Sequence, residues 1–403
     1  MIFDFDQHLF EYPGMWVDHI APEERDLALT VERDELGFPW VFSRATNQRI
    51  YIYAKTVPED GFASHVTPWQ RWKDHQSPET DYLADVPEDL QYAGARVRKL
   101  DEQGVDKALL LPHFGFLWGR QLGGRLDIMR ANLSAWNRWA ASVKQDGGER
   151  LEPTGHVTLR GGDPAWLERE LAYLARSGVR FALISYGLVD GRRMSHPDHD
   201  RAWKAFVDNG IIPVFHIQDG DVRASGLPEG WFEADGDPLF GPLDFVFSHL
   251  GVQVAVADLI LGGVFDRFPS LKFVTVELTA GWINPLISGG TGIPGSIGGV
   301  VNGPGLDVSY RVEGFFRRNT VALKRAPSEY LYEHFRSTVN PVEPLGSYVE
   351  SGLGDNLLFG GDYPHSEGFL KAVDTFQPVV ADLTEEQRSK FFGGTAAALL
   401  TAS

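Results

Sequence analysis

The chain has 403 residues, 43% of them hydrophobic and 23% charged, a formal net charge of −18 and no cysteine. So acidic a balance argues against the basic face that nucleic acids require, and the missing thiols exclude disulfides, cysteine nucleophiles and cysteine-held zinc or iron–sulfur centres, so any metal must be held by histidine and carboxylate. No apolar run reaches the roughly 18 residues of a membrane helix, and the opening MIFDFDQH carries acid where a secretory leader carries base, so a cytoplasmic protein acting on a small molecule, away from membranes, is expected.

In chain order, IFDFD reads as a first strand, with Asp4, Asp6 and His8 spaced two apart. Side chains alternate along a strand, so the three are expected on one face. That face is either a wet edge or half of a metal site. Residues 13–94 fit no strand–helix unit. Within them PWVFSRATNQRIYIYAK (39–55) reads as a β-hairpin with Asn47 near its turn, in an insertion expected over a rim.

From about residue 100 apolar strands alternate with helical patterns. VDKALLLP (105–112) is a buried strand ended by Pro112, residues 127–143 have helical spacing, and GHVTL (155–159) is a short strand. Asp163 caps and Gly178 stops the next helix. Strand 180–186, helix 200–210 and strand 211–216 follow, then a helix over 252–268 and strand 272–277. The last units are a helical SEYLYEHF, strand 335–340, a helical 345–351, strand 356–361 and a closing helix over 384–400. Eight such strands imply a parallel sheet covered by helices and closed into an α/β (β/α)8 barrel. One domain over 1–403 is expected, with rim insertions at 13–94, 217–248 and 289–305. The last of these is glycine-rich but lacks the Lys-Ser or Lys-Thr ending of a phosphate loop.

Barrel chemistry sits at the C-terminal ends of the strands. The ionisable residues there are Asp6 and His8, His113, His156, His216, Glu277 and Asp362, with His365 and Glu367 just beyond. Asp6, His8, His216 and Asp362 could hold one Zn²⁺ or Mn²⁺ and leave a position for water or substrate. Asp362 could instead cap the turn after the last strand. His113 and His156 stand between structural histidines and substrate contacts, and His365 and Glu367 are further substrate-contact candidates. His249, in FSHLG ahead of the helix expected at 252, is either a cap-region residue or one at the barrel mouth. Glu277 ends an apolar strand, where a lone carboxylate is costly, so it needs a metal, a base role or an arginine partner. His19, His65, His75, His196, His199 and His334 carry no partner pattern and read as structural.

DFDQHLFE, RKLDEQGVDKALLLP, VFH, LILGGVFDRFPSLKFVTVE and LLFGGDYPHSEG resemble the amidohydrolase superfamily. More narrowly they resemble its "amidohydrolase 2" branch, which includes aminocarboxymuconate semialdehyde decarboxylase and the resorcylate and related aromatic-acid decarboxylases. The resemblance spans about 1–12 and 95–400. It implies a distorted TIM barrel, one divalent ion on Asp6, His8, His216 and Asp362, and a homodimer. The branch usually has a catalytic histidine at the end of strand six; here Glu277 stands there, with His249 as a possible substitute in space. The leading expectation is a non-oxidative decarboxylase of an aromatic or unsaturated carboxylic acid, with Glu277 or His249 moving the proton. A hydrolase of a lactone, amide or cyclic ester is the alternative. A decayed barrel acting as a binding protein is a third reading, distinguished by failure to hold metal.

Overall fold

Alternating apolar rows build the centre of the molecule. The computed structural model describes residues 1–55, 67–115, 122, 124–217, 242–287, 305–316 and 321–401. Its strands are β1 (Phe3–Leu9), β2 (Leu29–Arg33), β3 (Pro39–Ser43), β4 (Gln48–Ile52), β5 (Lys107–Pro112), β6 (Leu151–Pro153), β7 (Gly155–His156), β8 (Phe181–Leu183), β9 (Ile212–His216), β10 (Phe273–Val276), β11 (Phe335–Val339) and β12 (Leu357–Phe359).

Two parallel sheets, β1-β5-β6 and β7-β8-β9-β10-β11-β12, make up the barrel wall. They join where β6 runs into β7 through Thr154, whose amide donates to the Leu110 carbonyl at 2.8 Å. The other seam closes beyond β12. There Tyr363 bridges Gln7, and its carbonyl accepts from the His8 amide at 2.8 Å. With β6 and β7 taken as one broken strand, eight parallel strands close the ring, a distorted (β/α)8 barrel. Strand three therefore starts earlier than GHVTL suggests, at Leu151.

The barrel interior is filled by Phe3, Phe5, Leu109, Leu111, Phe181, Leu183, Ile212, Val214, Val274, Val276 and Leu358. Ala396 and Leu399, on the C-terminal helix Thr395–Thr401, belong to the same cluster and plug its floor. The helices pack outside. In Pro164–Arg176 the Asp163 carboxylate accepts from the Trp166 amide at 3.0 Å, proline takes the first helical position, and Gly178 turns the chain at φ +79°. Its buried stripe is Trp166, Leu167, Leu171 and Leu174. The helix expected at 252–268 is instead Pro242–Leu261, interrupted at Gly262 and Gly263 and resumed as Val264–Arg267. His249 therefore lies within a helix rather than ahead of one.

In the insertion, β3 and β4 form the expected hairpin, with Asn47 at φ +53° in its turn. A third strand, β2, adds antiparallel to β3. The sheet is pinned by the buried Asp34 carboxylate, which accepts from the indoles of Trp40 and Trp72 at 2.9 Å each. Most of the 217–248 and 289–305 insertions lies outside the described residues. Among the described residues no helix is long and apolar enough to cross a membrane.

Candidate metal centre

Phe3 and Phe5 face the barrel interior, so simple alternation would turn Asp6 and His8 outward. The β1–β5 register slips between Asp4 and Gln7. This bulge lets Asp6 and His8 share the mouth of the barrel while Asp4 stays behind. Asp4 instead accepts from the Gly361 amide at 2.8 Å and from Gln7 Nε2 at 2.9 Å. The three-residue face expected from the sequence is thus two residues, and Asp4 serves the seam. Arg96, fully buried, holds the same seam. It donates to the His8 carbonyl at 2.6 Å, to Gln7 Oε1 at 2.9 Å and to the Asp89 carbonyl at 2.7 Å, with Tyr363 under its guanidinium.

His216 needs no such device, because it continues the inward row Ile212–Val214 at the end of β9. Glu277 and Asp362 do need one. Both sit at left-handed backbone angles, φ +57° and φ +51°, and Thr279 follows at +58°. Such angles are uncommon for residues with a Cβ and persist only where neighbours enforce them. Here the Glu277 amide donates to Thr338 Oγ1 at 2.9 Å, and the Glu343 carboxylate accepts the amides of Ala280 at 2.9 Å and Asn340 at 2.7 Å. Behind Asp362, Gly368 leaves no room for a side chain: a Cβ would lie 2.0 Å from the Asp362 carbonyl oxygen. Gly368→Ala is therefore expected to cost about 1–3 kcal/mol of stability and to weaken metal retention, read by thermal melts with and without Mn²⁺.

The structure brings Asp6, His8, His216, Glu277 and Asp362 together. His8 Nε2 lies 3.4 Å from Asp6 Oδ1 and 3.2 Å from Asp362 Oδ1. His216 Nε2 lies 3.9 Å from Asp6 Oδ1 and 3.1 Å from Glu277 Oε2. Ligand-type atoms of Asp6, His8 and His216 fall within 4.8 Å of one another, as do those of His8, Glu277, Asp362 and His365. Asp6 Oδ1, Glu277 Oε2 and Asp362 Oδ2 are buried with no hydrogen-bond partner among the described residues. Each such atom costs on the order of 1–3 kcal/mol unless something else satisfies it. Carboxylate oxygens and imidazole nitrogens from separate strands are what a divalent cation of the Zn²⁺ or Mn²⁺ type takes, so the residues fit the ion.

The local electrostatics agree. Burial, then the neighbouring Asp362 carboxylate, pushes Asp6 and Glu277 well above the usual carboxylate range. Burial also pushes Asp362 up, but the imidazoles of His365 and His8 more than reverse this and hold it below that range. Burial and the nearby His8 keep His216 well below its ordinary value, hence neutral and able to offer a lone pair.

A pocket of about 320 Å³ opens over these groups. It is lined by Asp6, Glu277, Asp362, Glu367 and His249, by Thr279, Thr338 and Asn340, and by apolar Ile217, Leu278, Val339, Pro341 and Phe369. Of the expected substrate contacts, only Glu367 lines it. His365 stands behind Asp362, donating from Nδ1 to Oδ1 at 2.8 Å, and His113 pairs with His365 Nε2 at 3.0 Å. His156 is buried, its amide donating to Asn137 Oδ1 at 2.7 Å, and burial pushes its imidazole down to about 3. Sequence reasoning missed Arg96 and Glu11. The Glu11 carboxylate accepts the amides of His113, Phe114 and Gly115 at 3.3, 3.0 and 2.9 Å, and burial still pushes it up to about 7. Its position three residues after His8 in HLFE was the one available signal.

A family model described as amidohydrolase matches residues 62–401. The chain belongs to the amidohydrolase family. As an enzyme of that superfamily, this amidohydrolase shares its fold with several solved structures. An amidohydrolase from Mycobacterium avium subsp. paratuberculosis K-10 is similar over 99% of this chain and 98% of its own, with a TM-score of 0.76 and 21% identity. The 5-carboxyvanillate decarboxylase from Sphingomonas paucimobilis aligns over 100% of this chain and 99% of its own, with a TM-score of 0.60 and 17% identity. The corresponding enzyme from Novosphingobium aromaticivorans DSM 12444, complexed with manganese and 4-hydroxy-3-methoxy-5-nitrobenzoic acid, aligns over 100% and 96%, with a TM-score of 0.62 and 18% identity. No curated protein matches this amidohydrolase.

Proposed function

We propose that this amidohydrolase is a mononuclear metal-dependent decarboxylase of an aromatic carboxylic acid. One observation carries the reading: buried carboxylate oxygens with no hydrogen-bond partner among the described residues and two imidazoles meet at the mouth of the barrel, under a pocket that also holds Glu277 and His249. Manganese and a nitrobenzoic acid in a decarboxylase of the same fold support the choice of reaction.

Asp6, His8, His216 and Asp362 would hold the cation, and this ligand set accepts Zn²⁺ and Mn²⁺ alike. When bound it supplies positive charge that takes up a carboxylate and a neighbouring substrate oxygen. The chain's own groups do the rest. Ile217, Leu278, Val339 and Phe369 give the ring an apolar bed. Burial, then the Asp362 and Asp6 carboxylates, pushes the Glu277 carboxyl well above its ordinary range. Glu277 donates its proton to the ring carbon that bears the carboxylate, with His249 on the same pocket wall as the other donor. The bond to the carboxylate then breaks, CO₂ leaves, and Glu277 regains a proton from solvent through the open mouth.

Manganese and a nitrobenzoic acid in a decarboxylase of the same fold favour this over hydrolysis, where Glu277 would act as a base. The test is metal analysis of the purified full chain, followed by CO₂ measurement on Mn²⁺-loaded protein with hydroxybenzoates and 5-carboxyvanillate. About one divalent ion per chain, with CO₂ release lost on chelation and restored by Mn²⁺, is expected. Loaded protein that adds water to lactones or amides and releases CO₂ from no aromatic acid would overturn the decarboxylase.

A further inference from the structure

His113, a candidate for either a structural role or a substrate contact, lies outside the pocket lining, with Nδ1 toward another histidine. Its Nδ1 is 3.0 Å from His365 Nε2, and His365 Nδ1 is 2.8 Å from Asp362 Oδ1. The chain of contacts ends on Asp362, whose other oxygen, Oδ2, is buried with no hydrogen-bond partner among the described residues. We propose that His113 and His365 are positioning residues: a His–His–Asp relay holds Asp362 by Oδ1, the oxygen that also lies 3.2 Å from His8 Nε2, fixes how the carboxylate meets the metal, and so sets metal affinity. This rests on the reading of Asp362 as a ligand.

Donor and acceptor logic fixes the direction of the relay. An ionised carboxylate only accepts, so His365 carries its hydrogen on Nδ1. With one hydrogen on the His365 ring, Nε2 accepts and His113 Nδ1 is the donor. Both rings are held against rotation. His113 stacks on Phe10 with centroids 3.7 Å apart and planes 12° from parallel, and His365 lies 4.0 Å from the His8 ring. The backbone under His113 is clamped by the Glu11 carboxylate through three successive amides. The relay thus ties the turn after β5 to the ligand after β12, across the seam that carries His8. Two histidines merely packed on the rim would need neither the matched donor and acceptor nor the clamp.

The test compares His113→Leu, which removes the donor, with His113→Asn, whose amide places an N–H near the former Nδ1. Mn²⁺ affinity is measured by calorimetry on the full chain, and the visible spectrum is recorded after Co²⁺ substitution. The relay predicts that His113→Leu weakens Mn²⁺ binding about 10- to 100-fold and alters the Co²⁺ spectrum, while His113→Asn stays close to wild type in both. Unchanged affinity and spectrum in His113→Leu, or an equal loss in His113→Asn, overturns it. If His113→Leu does not fold, His113→Gln, whose amide sits near Nε2 instead, takes its place with the same expected loss. Asp362→Ala run in parallel separates the two claims. Metal kept in Asp362→Ala removes the ligand reading itself; metal lost there but kept in full by His113→Leu removes the relay alone.

Discussion

Glu277→Gln is expected to keep its metal and to lose about 10²- to 10⁴-fold in kcat for CO₂ release. The substitution preserves shape and removes only the transferable proton. Glu277 is placed for that role by a backbone angle few residues adopt, φ +57°, held by Thr338 and by the turn that Glu343 pins. Its carboxyl lines the pocket beside Asp6, Asp362 and Glu367, and burial together with those charges favours the protonated form. Metal content by mass spectrometry and turnover on the same preparation check the expectation. Full activity would hand the proton to His249. Loss of the metal would make Glu277 a ligand, a role its 3.1 Å approach to His216 Nε2 makes concrete.

Asp362→Ala and His216→Ala are each expected to lose the metal. If about 10–16 kcal/mol of binding free energy is shared among four ligands, removing one costs roughly 3 kcal/mol, about two orders of magnitude in Kd. His216 alone continues the inward row of β9, and Asp362 is presented by a turn that Gly368 packs against directly. Asp6→Ala should fall short of this loss only if Glu277 can take the vacated position. Equilibrium dialysis against Mn²⁺ reads all three, and full retention in Asp362→Ala would remove the basis of the site.

The barrel was legible because its strands are short apolar runs between helical patterns. His216 was legible because Ile212, Val214 and His216 keep one period of two. The same rule failed at β1. It grouped Asp4 with Asp6 and His8, whereas a bulge puts Phe3, Phe5, Asp6 and His8 on the inside and leaves Asp4 at the seam. A bulge is a backbone event with no residue signature in DFDQH. Glu277 and Asp362 were found by position at strand ends, but their left-handed angles come from distant partners, Thr338 and the Gly368 turn. Arg96 and Glu11 stayed unseen for the same reason: what they hold lies some 90 and 100 residues away in the chain. The helix at 242–261 begins ten residues before the expected 252, because FVFSHLGVQVAVADLIL is apolar on most sides and shows no stripe to mark its start. His249 moved onto that helix, and so onto the pocket wall.

The central claim is that one cation sits among four side chains brought from three places on the barrel. Anomalous diffraction at the manganese edge, from crystals of the Mn²⁺-loaded full chain, tests it most directly. The account predicts a single strong peak within bonding distance of Asp6, His8, His216 and Asp362, beneath the pocket that Glu277 and His249 line. A peak held by other residues, or none at this mouth in protein that carries manganese, would contradict it.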